Sequence, residues 1–209
     1  MSTMSTALDL HVHQWEPAAR PDAPTILLLH GTGGDENDLL PLGRMLSPGS
    51  ALLSVRGNVL ENGAPRFFRR LAEGVFDIED LHRRTADLAD FVVAASAAYG
   101  FELSSLHAMG YSNGANVAAS VLLSRPEILA GAVLYRAMVP FEPSSRVDVT
   151  GKRVLISAGQ FDTMIPRAGS ERLAALLRDG GAEVELAWQS ASHGLTQADV
   201  TLGQRYFQG

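Results

Sequence analysis

Apolar runs of five or six residues recur along the chain, and most are followed by a glycine-bearing turn and then by helical spacing. Ile26-Leu27-Leu28-Leu29 and Arg153-Val154-Leu155-Ile156-Ser157-Ala158 carry few polar breaks. Continuous runs of this kind suit strands buried on both faces, as in a parallel sheet sandwiched by helices. The pattern predicts strands over 8–12, 25–30, 51–55, 106–111, 131–135, 153–158 and 184–188. It predicts helices over 37–46, 81–99, 114–123, 170–178 and 197–207, with Gly180-Gly181 closing the fourth as C-terminal glycines do. Alternating strands and helices imply an α/β fold with a mainly parallel sheet covered on both faces. No repeat, linker or low-complexity tract interrupts it, so residues 1–209 read as a single domain.

One short run carries the chemistry. Leu106-His107-Ala108-Met109 leads into Gly110-Tyr111-Ser112-Asn113-Gly114, a G-x-S-x-G pattern where a strand ends and a helix begins. A serine on so tight a turn is held in a strained backbone conformation, and side chains two positions to either side would collide. The turn lifts the hydroxyl clear of the sheet and sets it beside unpaired helix N–H groups. The bare pattern is only moderately specific, so its partners matter.

A serine hydroxyl is a weak nucleophile and needs an imidazole to take its proton; the imidazole needs a carboxylate to fix its tautomer. Asp162 follows the 153–158 strand, and His193 follows the 184–188 strand, giving the chain order Ser, acid, His. Glu142, after the 131–135 strand, is the competing acid. All these positions fall at carboxyl ends of predicted strands, where open α/β sheets bind ligands. The run His30-Gly31-Thr32-Gly33-Gly34 after the second strand supplies an oxyanion loop, with the Thr32 and Asn113 N–H groups as the expected pair. The glycines do not match a phosphate loop, since neither G-x-x-x-x-G-K-[ST] nor G-x-G-x-x-G is present.

With these motifs in place, the chain resembles small α/β-hydrolases of the phospholipase/carboxylesterase family, which includes acyl-protein thioesterases. The resemblance rests on His30-Gly31-Thr32-Gly33-Gly34-Asp35, Gly110-Tyr111-Ser112-Asn113-Gly114, Gln160-Phe161-Asp162-Thr163-Met164-Ile165-Pro166 and Ser192-His193-Gly194, in family order. Thioesterases of the group typically carry G-F-S-Q-G-G, whereas Tyr111, Asn113 and Ala115 stand here. Pro65-Arg66-Phe67-Phe68-Arg69-Arg70-Leu71 looks more like a bacterial carboxylesterase branch. The resemblance implies a serine esterase for small carboxylic esters or thioesters, working through an acyl-enzyme without metal or organic cofactor. A lysophospholipase or acyl-protein thioesterase is the alternative enzyme, and a non-catalytic hydrolase-fold binding protein the alternative of another class.

Composition narrows the setting. A net charge of −6 and a pI near 5.5 argue against nucleic acid or an anionic membrane as main partner. Zero cysteine excludes disulfides and fits a reducing compartment. Met1-Ser2-Thr3-Met4-Ser5-Thr6 lacks a signal-like pattern, and no run approaches a membrane span, so a cytoplasmic location is expected. The partner expected is a small-molecule ester, with a homodimer left open.

Two stretches bear on specificity. The gap at 137–151 is too short for a lid domain, which leaves an open site. The excursion at 56–80 is longer and carries Phe67, Phe68 and Phe76 with Arg66, Arg69 and Arg70. Phe67, Phe68 and Arg69, together with Met138, Val139, Met164 and Leu195, are the expected pocket residues, suited to short-chain or aryl esters. The arginines either hold an anionic substrate group or pair with Glu73, Asp77, Glu79 and Asp80 on a solvated surface. Of the other histidines, His11 and His13 share a strand face but lack a third metal ligand, His30 shapes the oxyanion loop, and His82 and His107 are structural.

Overall fold

The structure is a computed structural model and describes residues 7–209. The reading of Met1 to Thr6 lies outside those residues. Seven strands form the central sheet: β1 (His13–Glu16), β2 (Thr25–Leu29), β3 (Ala51–Val55), β8 (Leu106–Tyr111), β9 (Gly131–Tyr135), β10 (Arg153–Gly159) and β11 (Glu183–Gln189). Their spatial order is β1-β3-β2-β8-β9-β10-β11. Only β1 runs antiparallel, against β3; every other neighbouring pair is parallel.

The period of two along a strand explains the continuous apolar runs. In β2, Leu27 and Leu29 pack into one core cluster, while Ile26 and Leu28 pack into another. The first cluster is completed by α2 (Ile78–Tyr99), α3 (Asn113–Ser124) and α4 (Arg167–Asp179). The second is completed by α1 (Leu40–Leu46) and α5 (Gln197–Gln208). Helices therefore cover both faces, and the interior strands β2, β3, β8, β9 and β10 present buried apolar residues to each, whereas the edge strand β11 is only partly buried.

The elements differ from expectation in three places. The first strand occupies His13–Glu16 rather than 8–12, because Trp15 stacks on Tyr99 at 4.8 Å and His13 Nε2 meets the Tyr99 hydroxyl at 2.6 Å. The first helix begins at Leu40 rather than 37. There the Asp35 carboxylate accepts from Asn37 N and the Asp38 carboxylate accepts from Asp35 N, a local alternative to helix, and Pro41 then opens the first helical turn. The excursion at 56–80 is not irregular: β4 (Val59–Glu61) pairs with β5 (Ala64–Arg66), and β6 (Arg70–Ala72) with β7 (Val75–Phe76). Asn62-Gly63, with both φ values positive, makes the first of these hairpin turns. Among the described residues, no helix is long and apolar enough to cross a membrane.

His107 in β8 is mostly buried and bonded to the Tyr206 hydroxyl at 2.8 Å, and desolvation, with help from Arg153, lowers its pKa to about 4. A histidine in an unfolded chain titrates near 6.5, so between about pH 6.5 and 4 the unfolded state binds the extra proton. Stability should fall with acidification across that window, by at most about 1.4 kcal/mol per pH unit from this one group. Urea unfolding at a series of pH values should show a shallower fall for His107→Gln than for the wild type; equal slopes would assign the effect elsewhere.

Candidate active site

The turn around Ser112, the expected nucleophile, is built by the close approach of backbones. Ser112 has φ 54° and ψ −115°, a conformation that L-residues rarely adopt. A Cβ on Gly114 would lie 2.0 Å from the Leu29 carbonyl oxygen, and one on Gly110 would lie 2.6 Å from Ala115 Cα. Both glycines are required by steric exclusion. Ser112 N donates to the Tyr135 carbonyl at 2.9 Å, which fixes the turn to β9.

Three side chains converge above this turn. His193 Nε2 lies 2.9 Å from Ser112 Oγ, and His193 Nδ1 lies 2.8 Å from Asp162 Oδ2. A carboxylate can only accept, so Nδ1 carries the proton and Nε2 is free to accept from the hydroxyl. The other Asp162 oxygen accepts from Met164 N at 2.8 Å and Ile165 N at 3.1 Å, leaving that carboxylate nearly fully buried and oriented. Glu142, the competing acid, is bound instead to Arg172 at 2.8 and 2.6 Å on the surface.

The His30–Gly34 loop, the expected oxyanion loop, is held from two sides. His30 Nδ1 donates to Gly31 O at 2.6 Å and Nε2 accepts from Gly57 N at 2.9 Å, which fixes a neutral tautomer. Burial lowers the His30 pKa and keeps it neutral. Gly33 N donates to Pro65 O at 2.9 Å, and Arg66 Nη1 donates to Thr32 Oγ1 at 3.0 Å. Among the described residues, the N–H groups of Thr32 and Asn113 donate to no protein acceptor. Both residues line a cavity of about 240 Å³ together with Ser112 and His193.

The cavity corrects the expected pocket. Met138 and Met164 line it, as do Phe76, Tyr111, Arg66 and Arg70. Phe67 and Phe68 do not: they are 1% and 0% exposed, packed against His30 and Phe76, because the hairpin segment folds inward and seals the core. Arg69 points to solvent and pairs with Asp77 at 2.7 Å. Val139 packs against the larger core cluster and Leu195 against the smaller. The surface-pairing expectation for the arginines holds for Arg69 alone. Arg66 is 3% exposed and bonds Glu61 at 3.1 Å, and Arg70 shares that carboxylate at 3.0 Å.

Sequence reasoning missed several residues. Asn113 Oδ1 accepts from Phe67 N at 2.7 Å, and Asn116 Oδ1 accepts from Met138 N at 3.0 Å, so the first turn of α3 tethers both cavity walls. Arg136 and Asp199, buried behind the histidine loop, carried no motif. His11 precedes β1 rather than sharing the strand with His13, yet both rings pack against Phe91, at 5.3 and 4.9 Å, and their Nδ1 atoms bond Arg56 O and His11 O. Among the described residues, no group of three or more potential ligands could hold a metal ion.

A seven-stranded α/β-hydrolase sheet with a serine, an aspartate and a histidine at the carboxyl ends of β8, β10 and β11 defines the class, and comparison with known proteins gives the family. A family model described as the dienelactone hydrolase family matches residues 65–205, more than half of the chain, and the protein belongs to that family. A curated relative, the putative hydrolase MhqD of Bacillus subtilis (strain 168), is 47% identical over 183 residues, covering 88% of this chain and 92% of that one. The crystal structure of the Bacillus cereus carboxylesterase superposes with a TM-score of 0.93 at 42% identity, covering 99% of both chains. A structure of YahD with malic acid superposes at 0.89 with 30% identity, covering 95% of this chain and 98% of that one.

The glycine geometry can be checked directly. Gly114→Ala should cost at least about 2 kcal/mol, since the clash is with backbone that cannot yield. Gly194→Ala, in the histidine loop, meets nothing within 4 Å and should cost under about 1 kcal/mol. Chemical denaturation of both variants distinguishes steric need from mere loop flexibility, and equal losses would refute it.

Proposed function

We propose that the protein is a serine carboxylesterase acting on small carboxylic esters or thioesters through an acyl-enzyme. The observation that carries the reading is the continuous hydrogen-bonded chain from Ser112 through His193 to Asp162, opening on a cavity beside two unpaired amides. Ser112 Oγ attacks the carbonyl carbon as His193 Nε2 takes its proton, and Asp162 stabilises the imidazolium. Thr32 and Asn113 amides receive the oxyanion. His193 returns the proton to the leaving alcohol or thiol; water, activated by the same imidazole, then releases the acid.

Cavity size favours short substrates. At about 240 Å³ between its walls it suits a small acyl or alcohol group, which is why short esters are preferred in this reading over lysophospholipid or acyl-protein substrates. No segment of the 136–152 connection forms a helix or strand that could act as a lid. A non-catalytic binding role would not need the nucleophile strained and its base and acid in register.

Charge suggests a further preference within the ester class. Glu61 is shared by two guanidinium groups, and among the described residues Arg66 Nη2 and both Arg70 Nη atoms have no hydrogen-bond partner. Esters with a carboxylate on the acyl or alcohol part would meet those donors, in keeping with the malic acid bound in the YahD structure. Glu73 at the exposed hairpin turn opposes this only from the rim.

Ser112→Ala should lower turnover of p-nitrophenyl acetate by several orders of magnitude while leaving the melting temperature within a few degrees. Wild-type turnover by that folded variant would end the proposal. Arg70→Gln should raise KM for a dicarboxylic half-ester about tenfold and leave the neutral ester of equal length within about twofold. Equal effects on both esters would remove the anionic preference.

A further inference from the structure

Among the described residues, three without glycine's freedom adopt a positive φ: Asn62, Ser112 and Arg136. Asn62 is explained by its hairpin turn, and Ser112 by the nucleophile turn. Arg136, at φ 57°, follows directly on β9 between the strands that carry the serine and the aspartate. It is 0% exposed and had no role in the chemistry above.

Its guanidinium spends every donor it has. Nε donates to Ser192 O at 3.1 Å, Nη2 to Gly194 O at 2.7 Å, and Nη1 to Ser157 O at 3.1 Å. Nη1 and Nη2 also reach the two Asp199 oxygens at 2.9 Å each, the planar fork meeting a carboxylate. Asp199 in turn accepts from Ser157 Oγ at 2.6 Å, and from Thr196 N and Oγ1 at 2.7 and 2.8 Å, closing the capping box that starts α5. Burial alone would raise the Asp199 pKa, but the bonds from Arg136, Ser157 and Thr196 outweigh it and hold the carboxyl below its ordinary range.

The carbonyls of Ser192 and Gly194 flank His193, and the His193 carbonyl accepts from the Tyr111 hydroxyl at 3.2 Å. Three consecutive carbonyls are thus held by two side chains. Among the described residues, no backbone–backbone hydrogen bond involves positions 192–195. The path of the loop is therefore set by Arg136 and Tyr111 rather than by its own backbone. A buried ion pair is a poor source of stability, since desolvation offsets its attraction, and apolar residues of similar volume often do as well. What apolar residues cannot supply is five directed bonds between the sheet, the histidine loop and the start of α5.

We propose that Arg136, locked by Asp199, is a positioning residue for the reaction: it holds the backbone on both sides of His193 so that Nε2 stays on Ser112 Oγ and Nδ1 on Asp162. This rests on the serine-esterase reading above. Misplacement of a reacting group by about 1 Å can cost on the order of 100-fold in rate.

Arg136→Lys retains the charge but at most three of the five donors; Asp199→Asn retains an acceptor but removes the charge. At a temperature where circular dichroism shows each variant folded, kcat on p-nitrophenyl acetate should fall about tenfold or more with KM within about threefold. The rate of Ser112 labelling by a fluorophosphonate should fall in parallel. The low-field proton resonance of His193 Nδ1–H, bonded to Asp162, should broaden, which a merely structural role would not require. A folded Arg136→Lys protein with kcat within twofold of wild type and a sharp resonance would overturn the proposal. Should both variants fail to fold, Ser157→Ala removes one bond to Asp199 at little structural risk and should still lower kcat about two- to fivefold; unchanged kcat and resonance would be equally decisive. Failure of the esterase reading is told apart by Ser112→Ala, because the His193 resonance reports on position whether or not turnover depends on Ser112.

Discussion

The passage of the Gly110–Gly114 turn between two backbones sets the terms for the rest of the molecule. Ser112 can hold φ 54° only because Gly114 lets α3 begin within van der Waals reach of the Leu29 carbonyl, and because Gly110 lets β8 run close beneath Ala115. Those contacts bring together β2, whose end becomes the His30–Gly34 loop, and α3, whose first turn supplies the unpaired amide of Asn113. The same turn is bonded to β9 through the Tyr135 carbonyl, so the next residue, Arg136, is placed directly behind the histidine loop. A single steric constraint thus fixes the relative positions of hydroxyl, amides and the arginine that reaches the imidazole segment.

The walls of the site are attached to that centre by polar side chains rather than by apolar packing. Asn113 and Asn116, three apart and so on one face of the helix, each bond a backbone N–H of a flanking segment, Phe67 on one side and Met138 on the other. Arg66 joins the hairpin to Thr32, and Pro65 joins it to Gly33. The hairpins therefore serve two purposes: Phe67 and Phe68 close the core beneath, while Arg66, Arg70 and Phe76 face the cavity.

Burial of polar groups follows one rule at four residues in and behind the site, although Asn113 Nδ2 is buried without a partner. His30, Arg136, Asp162 and Asp199 are each removed from water, and each has its hydrogen-bonding capacity met by named partners of fixed geometry. In a medium of low dielectric such networks hold a single arrangement, because any alternative leaves a donor or acceptor unmet. Rigidity of this kind keeps Ser112, His193 and Asp162 in their hydrogen-bonded register.

The strands buried on both faces, the helices between them and the motif glycines were legible in the sequence, because each follows from local rules: periodicity, chain reversal and steric exclusion. So were Ser112, Asp162 and His193 as a candidate set, since their chemistry demands those residue types at strand ends. What tertiary structure decided was which way side chains turned once segments met. The run Pro65 to Arg70 reads as one exposed loop of aromatics and arginines, yet folding sends Phe67 and Phe68 inward, Arg69 outward, and Arg66 and Arg70 to the cavity. Arg136 and Asp199, 63 residues apart, form no motif. Their partnership exists only because the carboxyl end of β9 and the start of α5 meet at the same end of the strands, and no local pattern encodes a contact made between segments so distant in the chain.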